Sequence, residues 1–253
     1  MSARRWSVGA GVCGLLVAAL VGCSGDEPSR RAVPSPSPPT TTTEPAVPPV
    51  APELSVPATT AGDLDSKSVP GPLDLGRGWS RYVDPGAPEE GYVGNGSWVR
   101  ARGTDEVVQA VVPLGCSGLT TPPALPVPEH ALEATYRGPG DAPGVALVLD
   151  YDDPDRAADF VAGMGRVARS CPAPAGPVPS DGPLVASIEP ARVDASTVLQ
   201  RRREFGAGAT DWTWSEAVVR RGARVGLLIV ATDAGAAPDL GDLAARLRAA
   251  VIR

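Results

Sequence analysis

Histidine and lysine are almost missing from this chain of 253 residues, which contains one of each, His130 and Lys67. A serine or cysteine nucleophile that relies on a histidine base must therefore use His130. That residue stands beside Glu129 in a proline-rich stretch, and the chain has no G-x-S-x-G motif. Zinc sites need several His or Cys ligands. The sequence therefore predicts no catalytic residue, no metal site and no cofactor, and we interpret His130 as a residue of a surface loop in a protein that is not an enzyme.

Basic charge is also scarce, because 23 Lys and Arg residues face 29 Asp and Glu residues, giving a net charge of −6. Loss of residues 1–22, which hold Arg4 and Arg5, changes the net charge to −8. Such a chain lacks the basic surface that nucleic-acid binding requires, and it is not built to lie on an anionic membrane. Arginine supplies 22 of the basic residues, and this bias, with abundant Ala, Gly, Pro and Val, is typical of a high-GC actinobacterium.

The longest early hydrophobic run, residues 8–20, is too short to span a bilayer but suits a secretory signal. The sequence Leu-Val-Gly-Cys at 20–23 follows it and resembles the bacterial lipobox, which implies a signal peptide at 1–22 and lipidation of Cys23. Two or more acyl chains anchor a protein stably. We therefore expect attachment to the extracytoplasmic face of the cell membrane through lipid, the alternative being an ordinary signal with a chance cysteine.

Residues 23–68 have the composition of a tether. Ten of the 30 residues at 28–57 are proline, and residues 40–43 are four threonines. Low hydrophobicity and high proline content favour an extended, disordered chain, which at ~3.1 Å per residue reaches roughly 140 Å. The sequence predicts a passive spacer that holds the rest of the chain clear of the membrane.

Four cysteines are present, and two remain after Cys13 is removed with the signal and Cys23 is lipidated. Cys116 and Cys171 then form an even pair in an oxidising compartment, and no C-x-x-C motif is present. We predict a disulfide between them. On the chain-entropy account it stabilises the fold by roughly 4 kcal/mol.

Residues 69–253 are predicted to form a single α+β domain. Strands are predicted at 98–102, 106–113, 131–137, 145–151, 184–188, 196–204, 212–221 and 224–232. A helix begins at Asp153 and Pro154 and buries Cys171, and a last helix begins near Asp239. Two similar strand-strand-helix units favour an antiparallel β-sheet with two amphipathic helices packed on one face.

Several motifs in order resemble the extracellular sensor domain of actinobacterial receptor Ser/Thr kinases of the PknH type, which also occurs in lipoproteins. They are LGCSG at 114–118, the strand at 131–136, YDDPDRAADFV at 151–161, CP at 171–172 and VVRRGARVGLL at 218–228. The resemblance implies an α+β sheet with a cleft for an unknown ligand. That family usually has two disulfides, whereas this chain can form one, and no ligand-binding residue is carried over.

Two clusters have both a structural and a functional interpretation. The aspartates at 150, 152, 153 and 155 suit calcium or acid–base chemistry, but a strand end and a helix cap explain them more simply. Trp212, Trp214 and Glu216 share one face of a predicted strand, and we favour core packing over a platform for a sugar. The arginines at 201–203 are interpreted as a solvated strand edge rather than an anion site.

Three functions fit these observations. The first is a non-enzymatic, lipid-anchored binding or sensor-like module of the cell envelope with an unknown small ligand. The second is a scaffold that binds an envelope protein. The third is a hydrolase that uses Asp and Glu, which requires two carboxylates in one cleft with shifted pKa values.

Overall fold

The computed structural model describes residues 54–88, 91–113, 116, 124–232 and 238–251. The predicted signal peptide, Cys23 and the tether up to residue 53 lie outside these residues. Four α-helices are present in the described residues: α1 (Pro72–Leu75), α2 (Thr104–Ala110), α3 (Pro154–Arg169) and α4 (Leu240–Val251). None of the described helices is long and apolar enough to cross a membrane.

An eight-stranded antiparallel sheet forms the centre of the fold, which confirms the predicted α+β class. The strands are β1 (Ser80–Arg81), β2 (Gly86–Ala87), β3 (Tyr92–Val93), β4 (Val99–Ala101), β5 (His130–Arg137), β6 (Pro143–Asp150), β7 (Val185–Val193), β8 (Thr197–Phe205), β9 (Thr213–Arg221) and β10 (Arg224–Thr232). The order across the sheet is β1-β5-β6-β10-β9-β8-β7, with β4 also paired to β5. Strands β2 and β3 form a separate small ribbon.

The two long helices pack on opposite faces of the sheet, so the prediction that both share one face is wrong. Phe160 of α3 packs in one core with Leu149 of β6, whereas Leu247 of α4 packs in another with Val148. Successive residues of a strand point to opposite faces. Helices cover both faces of the sheet because β6, β9 and β10 are apolar at consecutive positions. This pattern is typical of strands that are buried on both sides.

The segment predicted as a strand at 106–113 is the helix α2 instead. Its β-branched residues favour a strand by propensity, but Val107, Val108 and Val111 are all buried, at a spacing that fits one side of a helix. Asp105 and Glu106 lie in the first turn, where acidic side chains complement the helix dipole. Burial of one helical face therefore outweighs intrinsic β-propensity here.

The folded part begins before Val69, within the segment that the sequence assigned to the tether. Leu64 is fully buried in the core on the α4 side. The Ala101 N–H donates to the Ala58 carbonyl at 2.7 Å, and Ser55 forms a parallel bridge with Tyr92. Residues 54–68 thus add strand-like contacts beside β3 and β4.

The other element ends follow the predicted signals. The Asp153 side chain accepts a hydrogen bond from the Asp155 N–H at 2.9 Å at the start of α3, and Asp239 does the same for the Asp242 N–H at 3.0 Å. Gly222 takes a positive φ of 59° at the turn between β9 and β10, a conformation that favours glycine.

A disulfide joins Cys116 and Cys171, the two cysteines that the sequence predicted to pair. Cys171 follows α3 and is fully buried, and its carbonyl accepts the Ile188 N–H of β7 at 2.7 Å. Cys116 forms a parallel bridge with Ala186 of the same strand. The disulfide therefore attaches both α3 and the segment after α2 to the β7 edge of the sheet.

Candidate functional site

The acidic cluster that follows β6 is engaged in structural contacts. Asp150 accepts from Arg224 Nε at 3.2 Å, Asp152 pairs with Arg156 at 3.1 Å, and Asp153 caps α3. Among the described residues no group of three or more His, Cys, Asp or Glu side chains is placed to hold a metal ion. The strand-end and helix-cap interpretation accounts for this cluster.

His130 is the first residue of β5 rather than a loop residue, and its ring packs on Gly62. A Cβ built at Gly62 would lie 2.3 Å from His130 Cδ2, and Gly62 has a positive φ of 56°. His130 is thus half-buried against a glycine, which gives it a packing role.

Arg202 lies inside the sheet, so the prediction of a solvated strand edge is wrong for this residue. Strand β8 is flanked by β7 and β9, and Arg202 Nε donates to Glu216 Oε1 at 2.7 Å. Its guanidinium lies 5.0 Å over the ring of Trp214 and also pairs with Glu204. Trp214 is half-buried and stays outside both apolar cores, so its predicted core packing is wrong too. Both side chains belong to a polar network on the α3 side of the sheet.

A groove of about 450 Å³ opens beside β4 and the start of α2. Its walls come from the N-terminal segment, the β2–β3 ribbon, β4 and α2. The lining residues are Ser55, Pro57, Tyr92, Arg100, Ala101, Arg102, Gly103 and Glu106. Arg100 of β4 and Arg102, which follows that strand and donates its backbone N–H to the Ala131 carbonyl, give this groove its chemistry.

Arg100 is held by three neighbours. Its Nε donates to Glu133 Oε1 at 2.6 Å, and its Nη1 lies 2.8 Å from Asp84 Oδ2. The guanidinium carbon is 4.6 Å from the centre of the Tyr92 ring, within cation–π range. Burial alone would lower the pKa of Arg100, but the charge of Glu133 and hydrogen bonds outweigh it and raise that pKa. Arg100 is therefore a fixed positive charge.

Glu133 accepts hydrogen bonds from both arginines. Arg102 Nη1 donates to Glu133 Oε2, while Arg100 uses the other carboxylate oxygen. The Glu133 side chain is only 7% exposed, whereas the arginine side chains are 15% and 21% exposed. One buried carboxylate thus fixes two guanidinium groups whose outer edges reach the groove.

The groove also offers donors and an acceptor to a ligand. A guanidinium carries five N–H groups, and Arg102 uses one nitrogen for Glu133, so further donors remain. Glu106, exposed in the first turn of α2, adds a carboxylate to the lining. This arrangement suits a polar molecule with a carboxylate for Arg102 and a hydroxyl or amide for Glu106.

The sequence analysis did not single out Arg100, Arg102 or Glu133. The available signal was the pair of arginines two residues apart in a predicted strand. Glu133 pairs with Arg100 through the antiparallel register of β4 and β5, which the sequence pattern does not specify.

No family model matches this chain, and no curated protein matches it. A search of solved structures finds similarity to the crystal structure of the extracellular domain of PknH from Mycobacterium tuberculosis. The match has 14% sequence identity and a TM-score of 0.41, and it covers 75% of this chain and 92% of that one. The chemistry of the groove rests on this chain's own side chains.

Proposed function

We propose that this protein is a non-enzymatic binding protein of the cell envelope, held by lipid at the extracytoplasmic face of the membrane. Its ligand is a small envelope sugar or peptide that carries a carboxylate. The observation that carries this proposal is the pair of guanidinium groups, Arg100 and Arg102, fixed by the buried Glu133 at the floor of an open groove. Binding sites gain affinity when their polar groups are held in place beforehand.

The arrangement of carboxylates supports binding over hydrolysis. Two pairs of carboxylates lie close together, and each pair shares one arginine. Asp84 and Glu133 both contact Arg100. Glu204 and Glu216 both contact Arg202. These carboxylate oxygens are engaged by guanidinium groups, whereas the carboxylates of a glycoside hydrolase act on the sugar and on water.

The predicted extracytoplasmic location is consistent with binding of an envelope ligand. The lipobox-like sequence that ends at Cys23 supports lipid anchoring, and a proline-rich spacer places the domain within reach of envelope components. The disulfide between Cys116 and Cys171 suits an oxidising compartment.

N-acetylmuramic acid and N-acetylglucosamine test the proposal as matched probes, because the first carries a carboxylate that the second lacks. The full chain is purified in its oxidised form, and its thermal midpoint is measured with each sugar and with muramyl dipeptide. A ligand at ~100 times its Kd stabilises by about 2.7 kcal/mol, which raises the midpoint by several degrees. We expect shifts with the two acidic probes only. If neither acidic probe raises the thermal midpoint, the proposed ligand class is wrong and a protein partner is favoured instead.

A further inference from the structure

A second cavity, of about 240 Å³, lies on the α4 side of the sheet, away from the groove beside β4. Its walls are formed by the segment that follows α1, by the turn before β6, by the end of β10 and by α4. Most of its lining is apolar, and the lining includes Leu75, Trp79, Ala142, Val230, Leu243 and Arg77.

The apolar wall of this cavity is continuous with a core of the protein. Leu75, Val230 and Leu243 belong to the buried cluster on the α4 side, and Trp79 packs against the same cluster. Arg246 of α4 donates to the Asp74 carbonyl, which ties α4 to α1. The cavity therefore opens onto buried side chains of this core.

Trp79 is seated firmly, because two glycines leave room for its ring. A Cβ built at Gly144 would lie 2.6 Å from Trp79 Cζ3, and one at Gly138 would lie 2.9 Å from Trp79 Cζ2. A side chain at either position would push the indole from its place. The indole therefore forms a rigid, flat wall that suits an alkyl chain or a ring.

Arg77 brings a positive charge to the rim of this apolar cavity. It is exposed, and no carboxylate of the described residues lies within salt-bridge distance of it. The nearest acidic residue in sequence, Asp74, is engaged elsewhere, because its Oδ2 accepts the Gly71 N–H at 2.8 Å. Arg77 is both exposed and part of the lining, so an acidic head group at the mouth of the cavity can reach its guanidinium.

We propose that this cavity binds the apolar end of a small amphipathic anion, with the acidic head group at Arg77. The cavity is smaller than the ~300–1,000 Å³ of pockets that enclose drug-sized ligands. It therefore accommodates a short alkyl chain or the end of a longer one, and the head group stays at the surface. This proposal does not depend on the ligand of the groove beside β4.

Decanoate, decyl phosphate and decanol are the probes, each titrated calorimetrically into the full chain below its micelle-forming concentration. We expect both anions to bind, and decanol to bind at least about threefold more weakly because it lacks the charge for Arg77. The ratio between the two anions assigns the head group to carboxylate or phosphate. Absence of binding by both anions overturns the proposal.

Two variants locate the site, and a third is the matched control. Arg77→Ala removes the charge at the rim and is expected to weaken decanoate binding about threefold or more. The control, Arg221→Ala, removes an exposed arginine beside the β9–β10 turn and is expected to leave the affinity for decanoate unchanged. Ala142→Leu fills part of the cavity and is expected to abolish binding, with folding checked by its thermal midpoint. Because Arg77 is exposed, its variant remains informative if Ala142→Leu fails to fold. Equal affinities in wild type and Arg77→Ala overturn the site.

Discussion

Arg100 and Glu133 occupy directly paired positions on β4 and β5, where Arg100 Nε lies 2.6 Å from Glu133 Oε1. Arg102 binds the second oxygen of the same carboxylate. A buried acid that serves two arginines fixes both stability and the shape of the groove, because neither guanidinium can turn without leaving Glu133 short of a partner.

Replacing Glu133 by Gln keeps the size of the side chain but removes its charge. Arg100 and Arg102 then lose charge-assisted bonds at a site where Glu133 is almost fully buried, and we expect a loss of about 2 kcal/mol in the free energy of unfolding. Urea unfolding measures this loss. Glu189→Gln, at an exposed position of β7, is the control and is expected to change stability by less than about 0.5 kcal/mol. Equal effects of the two variants would show that Glu133 holds no special position.

Replacing Gly144 by Ala tests the seat of Trp79. The new methyl group would lie 2.6 Å from Trp79 Cζ3, so the indole must move, and we expect a cost of about 1–3 kcal/mol. Gly176→Ala is the matched control, because nothing lies within 4 Å of the Cβ position at Gly176. Thermal unfolding of both variants gives the comparison, and a Gly144→Ala protein as stable as wild type would contradict the packing described for Trp79.

Loss of the disulfide is expected to destabilise the fold by about 4 kcal/mol on the chain-entropy account, because Cys116 and Cys171 are 55 residues apart. The measurement is the urea midpoint of the full chain with and without reductant. A variant with both Cys116→Ala and Cys171→Ala is the control, and reductant should leave its midpoint unchanged. If complete reduction leaves the urea midpoint of the wild-type protein unchanged, the disulfide does not stabilise the fold.

Alkaline pH is expected to destabilise the protein through Tyr136. Burial raises the pKa of its hydroxyl, which donates to the Pro70 carbonyl at 2.6 Å. The unfolded chain releases this proton near pH 10 while the folded chain keeps it, so stability falls as pH rises above about 10. Burial also raises the pKa of Tyr151, so Tyr136→Phe should cost about 1 kcal/mol at neutral pH and make that decline less steep without removing it. Unfolding free energies measured from pH 7 to 11 test this, and an unchanged slope in the variant would contradict it.

Local patterns predicted the helix ends and most strands, because those features depend on neighbouring residues. Asp153 and Asp239 cap helices as expected, and β10 spans the predicted residues. The side of the sheet that each helix covers was not predictable in the same way. An amphipathic pattern shows that α3 and α4 each have a buried face, but it does not say which face of the sheet receives it.

The site was harder to predict, because it depends on contacts between distant residues. Arg100 and Glu133 are 33 residues apart, and Arg102 and Glu133 are 31 apart. A shift of one residue in the β4–β5 register would turn Glu133 away from both arginines. The position of Arg202 also depends on distant contacts. A run of arginines predicts an edge strand, but the strand order places β8 between β7 and β9.

Arg102 is expected to bind the carboxylate of the ligand directly in the groove. The most direct test is a calorimetric titration of muramyl dipeptide into the full chain and into its Arg102→Ala and Arg221→Ala variants. Loss of a charge-assisted hydrogen bond predicts at least tenfold weaker binding in Arg102→Ala, about 1.4 kcal/mol or more, with wild-type affinity in Arg221→Ala. Binding of equal strength in all three proteins would show that Arg102 does not contact the ligand.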